Sequence, residues 1–160
     1  GRLSRGLRRS NTAEEALPGA VGWPEDDDIE SVVDQIIEIV GQLISKESAE
    51  LLANTYGMCG LDVAQMVVDN PRLAEVLVEG RPEILGQVDY AVQHELAVTV
   101  SDIMIRRTQL FFRDFDQGLG CASVVAAQMA KLLNWDSERV SVELEQYREE
   151  VQRSRDWQEE

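Results

Sequence analysis

The stretch Ile29-Glu30-Ser31-Val32-Val33-Asp34-Gln35-Ile36-Ile37-Glu38-Ile39-Val40-Gly41-Gln42-Leu43-Ile44 decides the fold class. Its apolar residues Ile29, Val32, Val33, Ile36, Ile37, Val40 and Ile44 recur at three- and four-residue steps. That is the spacing of one helical face, not the alternation of a strand. The spacing predicts an amphipathic helix over about residues 28–44. Asp26, Asp27 and Asp28 stand where it begins, and acids there complement the positive end of the helix dipole.

Moving outward, the same period returns in each following segment. Ser45 is a candidate N-cap for a helix over 46–55, which Tyr56-Gly57 ends. Leu61, Ala64, Val67 and Val68 mark a short third helix that Asn70-Pro71 stops, and residues 72–82 read as a short helix or an extended connection. A longer helix follows over about 83–97, with Ile84, Leu85, Val88, Ala91 and Val92 inward. Thr99-Val100-Ser101-Asp102 has the form of a capping box with Asp in the Glu place, opening a helix over about 100–112 that could continue the previous one. After the loop containing Asp114, Asp116, Gly118 and Gly120, Cys121, Val124, Val125, Met129, Leu132 and Leu133 define another helix. The turn Asn134-Trp135-Asp136 then leads to a last helix with Val140, Leu144, Tyr147 and Val151 inward. No segment alternates like a strand. The expectation is an all-α domain of six to eight helices packed as one orthogonal-type bundle.

In the other direction, Leu17-Pro18-Gly19-Ala20 and Trp23-Pro24 are turn chemistry. Residues 1–24 therefore read as a partly disordered linker or arm, 25–153 as the helical domain and 154–160 as a charged tail. The arm carries Arg2, Arg5, Arg8 and Arg9 with no acid before Glu14, and it leads an acidic body. The start at Gly1, without an initiator methionine, reads as a piece of something longer.

Composition excludes several functions. With 15 Lys and Arg against 30 Asp and Glu, the net charge is −15, which disfavours nucleic acid and anionic membrane surfaces. Cys59 and Cys121 sit in apolar helical contexts that suit reduced thiols. No apolar run is long enough to span a membrane. The expected location is cytoplasmic.

Catalytic and metal motifs fail one by one. No Gly-rich phosphate loop follows a strand. His94 is the only histidine and the two cysteines are far apart, so there is no zinc pattern. Asp114-Phe115-Asp116-Gln117-Gly118 starts like an EF-hand loop, but its twelfth position is Val125. His94-Glu95 lacks a second histidine one turn on, where Val98 stands. As neighbours on a helix, His94 and Glu95 would diverge by about 100° and not converge on one substrate. The expectation is no catalytic, cofactor-binding or metal-binding residue in this chain.

Residues 101–110 are the least ordinary. On a regular helix Arg107 falls on the side of Val100, Ile103, Met104 and Phe111, where a cation is costly unless paired. Arg106 lies four residues from Asp102. Arg107 is expected to pair with a buried acid, with Glu95 the candidate, and to pin this segment to its neighbours. The rival is a contact across an interface to another domain.

Tyr90-Ala91-Val92-Gln93-His94-Glu95-Leu96-Ala97, then Asp102, then Arg106-Arg107-Thr108-Gln109-Leu110 resemble the hallmark of the C-terminal helical domain of FAD-dependent glycerol-3-phosphate dehydrogenases and α-glycerophosphate oxidases. Leu17-Pro18-Gly19-Ala20, Tyr56-Gly57, Val125, Met129, Leu133 and Asn134-Trp135-Asp136 are similar to further parts of that domain, so the resemblance runs from about 10 to 151. The loop Arg113–Gly120 departs from it with extra acid and glycine.

The resemblance implies a parent enzyme that passes a hydride from glycerol 3-phosphate to FAD, forming dihydroxyacetone phosphate. Electrons would then go to a quinone, or to oxygen in the oxidases. The FAD and the catalytic residues would belong to N-terminal flavin and substrate domains, which would be this chain's partners. The resemblance also leaves room for a homodimer and for membrane contact by a parent peripheral to the inner face of the cell membrane. His94, Glu95, Asp102, Arg106 and Arg107 are the candidates for structural or interdomain contacts. The alternative is an independent acidic helical interaction module. A third reading, a small helical enzyme using Glu95 and His94, requires both to face one cleft.

Overall fold

A carboxylate begins the first helix, as the acidic run predicts. In a computed structural model of the chain, which describes residues 15–25 and 27–156, the Asp28 side chain accepts the Glu30 N–H at 3.0 Å and opens α1, Ile29–Val40. Asp26, the four arginines of the arm and residues 157–160 lie outside the described residues. α1 stops at Gly41, whose φ of 59° ends the helix four residues before the predicted end at Ile44. Val32, Val33, Ile36 and Val40 form its buried face.

Ser45 caps α2, Lys46–Tyr56, by accepting the Ser48 N–H, and Gly57 at φ 58° closes it. A 3₁₀ turn, Gly57–Cys59, runs into α3, Gly60–Asp69, which ends before Pro71. Residues 71–85 are a 3₁₀ turn, Pro71–Ala74, and an extended connection with one isolated antiparallel bridge between Val76 and Ile84. There is no strand among the described residues.

α4, Gly86–His94, is shorter than predicted at both ends. The Gln87 side chain accepts the Ile84 N–H at 3.0 Å and holds residues 84 and 85 outside the helix. At the other end Leu96 takes the left-handed conformation, φ 59°, and Ala97 N–H reaches back to Ala91 O at 3.1 Å. This six-residue closure separates α4 from the next helical segment, so the two are not continuous. Ile84, Leu85, Val88 and Ala91 are buried as expected, and Val92 is half-buried.

The segment predicted as a regular helix over 100–112 is instead a π turn, Asp102–Arg107, followed by Gln109 at φ 59° and a short α5, Leu110–Arg113. The capping box forms: Thr99 N–H donates to the Asp102 carboxylate at 3.0 Å, and Asp102 N–H donates to the Thr99 hydroxyl at 3.1 Å. The Ile103 carbonyl accepts both the N–H and the hydroxyl of Thr108, each at 2.9 Å, which sustains the five-residue register. That wider turn carries Arg107 out of the apolar stripe: Ile103 and Met104 are buried, whereas the Arg107 side chain is 32% exposed.

The loop 114–121 leads to α6, Ala122–Leu133, and then α7, Ser137–Asp156. α7 thus runs past residue 153, where the charged tail was expected to start. Gly118, φ 73°, packs so closely on Met104 that a Cβ there would collide with the methionine methyl. The left-handed backbone at Gly118, more than the contact with the movable end of Met104, favours glycine there.

The seven α-helices of the described residues form one all-α core. α1 packs on α2 and α3, α3 on α4, α4 on α6 and the π turn, and α6 on α7. Tyr147, Ile36, Leu52, Ile84, Leu85, Ile103, Met104, Leu110 and Met129 are its largest fully buried apolar side chains, and each aliphatic or methionine side chain contributes about 1.5–3 kcal/mol by leaving water.

Candidate functional site

The sequence singles out Leu17-Pro18-Gly19-Ala20 and Tyr56-Gly57 separately, and the fold brings them together. Pro18–Ala20 forms a 3₁₀ turn seated on the Gly57–Cys59 turn. A Cβ on Gly19 would come within 2.5 Å of Tyr56 O, and a Cβ on Gly57 would strike Gly19 O. Two glycines therefore allow backbone to lie on backbone. The segment before α1, predicted as a linker, is docked on the helices from Leu17 onward.

Beside this contact lies a cleft of about 500 Å³, whose lining includes Leu17, Trp23, Tyr56, Tyr90, His94 and Glu95. Tyr56 and Tyr90 meet edge-on at 5.0 Å, and His94 stacks on Tyr90 at 4.7 Å. Gln87 donates to the Tyr56 hydroxyl at 3.4 Å. Burial pushes the Tyr56 phenol up to about 12, against the Gln87 hydrogen bond that lowers it. Burial, with Cys59 beside it, also raises Tyr90.

His94 and Glu95 both line the cleft, contrary to the helical divergence expected for them. The helix ends at His94, and Glu95 leaves it at φ −120°, ψ 12°, so the helical rotation no longer applies. Their side chains are nevertheless engaged separately. His94 stacks on Tyr90, whereas the Glu95 carboxylate faces Arg107 Nε at 3.3 Å.

The Arg107–Glu95 pair expected from the sequence forms, but Glu95 is 28% exposed rather than buried. Arg107 Nη2 also donates to Glu95 O at 2.7 Å, so the guanidinium covers the end of α4 as well as its carboxylate. Both side chains are about a third exposed, which limits the pair's worth. Arg107→Met is expected to cost about 1 kcal/mol and to lower the melting temperature by about 2–4 °C. An unchanged thermal melt would show that the pair pins nothing.

Arg106 pairs with Asp102 at 3.0 Å on the exposed side. Burial pushes the Asp102 carboxyl up, but hydrogen bonds from Val98 and Thr99 and the Arg106 charge outweigh it and hold it below its ordinary value. These two residues close a local cap and do not reach the cleft lining.

Three further polar anchors carry no sequence signal, because their partners are distant or their burial is tertiary. Glu83, fully buried, faces Arg113 at 3.6 Å. Glu143, also buried, accepts the Val100 N–H at 2.9 Å and pairs with Arg139. Asp89 accepts from Gln128 at 2.6 Å, and burial raises its carboxyl despite that bond. Cys59 and Cys121 are free thiols, and burial, then the Asp114 and Asp116 charges, push Cys121 up to about 12. Such a thiol is a poor nucleophile at neutral pH. Among the described residues no group of three or more metal-ligating side chains comes together. The aromatic cleft and the Arg107–Glu95 ion pair thus adjoin Leu96, which is 87% exposed.

Residues 10–140 match the family described as the C-terminal domain of alpha-glycerophosphate oxidase. The chain is 27% identical over 154 residues to a glycerol-3-phosphate dehydrogenase of Synechocystis sp., covering 96% of the chain and 27% of that protein. It is 39% identical over 101 residues to a probable mitochondrial glycerol-3-phosphate dehydrogenase of Dictyostelium discoideum, covering 63% of the chain and 16% of that protein. To a mitochondrial glycerol-3-phosphate dehydrogenase of Rattus norvegicus it is 35% identical over 106 residues, covering 64% and 14%. The chain thus spans about a quarter or less of the length of these relatives. No solved structure matches it.

Proposed function

This chain belongs to the family of the C-terminal domain of alpha-glycerophosphate oxidase, and from that premise we propose that it is the accessory helical domain of an FAD-dependent glycerol-3-phosphate dehydrogenase. The parent enzyme oxidises glycerol 3-phosphate to dihydroxyacetone phosphate and hands electrons to a quinone. The observation that carries this reading is the family match over most of the chain, joined to relatives of that name that it covers only in part.

In this reading the chain's partners are the flavin and substrate-binding domains of the same polypeptide. The described residues do not fit FAD themselves. A dinucleotide cradle needs a strand leading through a glycine-rich turn into a helix, and the described residues contain only the isolated Val76–Ile84 bridge. In this reading the flavin, and the hydride chemistry it supplies, belong to the remainder of the parent. This chain supplies the helical body, about residues 25–153, and the arm that leads into it. His94, Glu95 and Leu96 offer the contact surface at the arm's docking corner, with Arg107 fixing the backbone there. Asp102 and Arg106 shape the same turn from outside. In this reading any homodimer contact and any contact with the inner face of the membrane are made by the parent enzyme. No helix among the described residues is long and apolar enough to cross a membrane.

The test is reconstitution. This chain is mixed with the separately produced flavin-bearing part, complex formation is followed by size-exclusion chromatography, and glycerol 3-phosphate oxidation is assayed with a dye acceptor. A stable complex with raised activity is expected. Absence of a complex and of any gain would overturn the reading.

A further inference from the structure

A second cleft, of about 310 Å³, opens between α2 and the wall made by the end of the π turn and α5. Arg107 and Arg113 line it together with Asn54, Thr55, Thr108 and Gln109. No carboxylate does, in a chain with twice as many acids as bases. The acids paired with the two arginines, Glu95 and Glu83, lie outside the lining. Glu95, through its carboxylate and its carbonyl, ties the Arg107 guanidinium, whereas Arg113 faces Glu83 at 3.6 Å without a hydrogen bond and is 45% exposed. Among the described residues, Arg107 Nη1 and Arg113 Nε and Nη2 make no hydrogen bond.

The backbone of this wall is also unusual. The π turn ends at Arg107, and Gln109 occupies the left-handed region at φ 59°, ψ 19°. That position favours glycine or asparagine, and π turns and such strained residues gather at functional sites. Glutamine there adds an amide with two donors to the cleft lining.

We propose that this cleft binds a small tetrahedral oxyanion of the inorganic phosphate type. Guanidinium forks match oxyanion geometry through paired N–H bonds. Here Arg107 is oriented in advance by the Glu95 carboxylate and carbonyl, so little of its freedom is lost on binding. The Thr55 hydroxyl and the Gln109 amide add neutral donors to the lining, whereas the Thr108 hydroxyl is already spent on the Ile103 carbonyl. The chain's net charge of −15 repels anions in general, so recognition must come from the cleft itself. Both arginines are already paired, which sets the affinity at a dissociation constant of about 1 mM. The proposal stands apart from the accessory-domain reading, and the chain alone is enough to test it.

The chain is titrated with inorganic phosphate at constant ionic strength and followed by NMR, with sodium acetate in a parallel series. Saturable shifts are expected at the Gln109 side-chain amide, the Thr108 N–H and Arg113 Nε–H. Gln109→Gly, which relieves the left-handed strain and so preserves the fold, should weaken binding about fivefold. Arg113→Gln should weaken it at least about tenfold. Because Arg113→Gln deprives buried Glu83 of its cation, Gln109→Gly decides the matter if that variant fails to fold. No saturation up to about 20 mM phosphate, equal shifts with acetate, or an unchanged constant in Gln109→Gly would each overturn the proposal.

Discussion

Gly57→Ala is expected to destabilise the chain by about 3 kcal/mol, lowering its melting temperature by about 6–12 °C. Two separate penalties meet at this position. Gly57 has φ 58° and ψ −134°, a conformation that L side chains rarely adopt. A Cβ there would also run into the Gly19 carbonyl of the docked turn. Two other glycines separate the terms. Gly41 has nearly the same backbone, φ 59° and ψ −119°, and nothing within 4 Å of its would-be Cβ. Gly41→Ala therefore carries only the conformational penalty. At Gly19 a Cβ would meet Tyr56 O at 2.5 Å, so Gly19→Ala reports the collision. Thermal melts followed by circular dichroism should rank Gly57→Ala below Gly41→Ala. If the two melt alike, the leading turn is not held on the helices as described.

Glu143→Ala should cost about 2–4 kcal/mol. Glu143 is 2% exposed, and its carboxylate does two things. One oxygen accepts the Val100 N–H at 2.9 Å, where the helical segment leading into the π turn starts; the other pairs with Arg139 one turn away on α7. Truncation leaves a buried N–H without an acceptor and removes one of the ties between α7 and residues 100–113, leaving the Ser101–Glu150 hydrogen bond and the Phe111–Tyr147 contact. Arg139 is 46% exposed and can be hydrated instead, which keeps the loss below that of a fully buried ion pair. Glu143→Gln, which keeps one acceptor, should lose about 1 kcal/mol. Glu145→Ala is the control: that side chain is 64% exposed and pairs only with Arg148, so its loss should be within about 0.5 kcal/mol. Urea unfolding that finds Glu143→Ala no worse than Glu145→Ala would remove the anchoring role.

These variants also mark where sequence reasoning stops. The helix of residues 29–40 and its buried face are legible from period alone, because burial on one side of a helix forces apolar residues to recur every three or four positions. The Ser45 cap, the Gly57 end and the Thr99–Asp102 box are equally legible, since each is closed by atoms within a few residues. The pairing of Arg107 with Glu95 could be expected because an unpaired cation beside an apolar stripe is too costly to leave alone.

The π turn was not legible. Its register depends on Thr108 bonding Ile103 twice and on the burial of Ile103 and Met104 against α4, and a regular helix fits the same letters. Helix ends moved inward for a similar reason. Leu96 is a good helix former, yet it sits left-handed so that Ala97 can be buried. Glu143 stands three residues after Val140 and four before Tyr147, so helical spacing hints at its burial, but its Val100 partner is 43 residues away and, like the burial of Glu83, is set by the fold.

By itself the sequence determined an all-α chain with its caps, its glycine stops and the residues that mark its family, because local periodicity and short-range hydrogen bonds are written in adjacent positions. Only the tertiary structure decided that the Leu-Pro-Gly-Ala turn rests on Gly57, that His94 and Glu95 share a cleft, and that Arg107 and Arg113 line another. Those facts depend on groups up to dozens of residues apart meeting at distances of a few ångströms, and packing, not spacing along the chain, sets such distances.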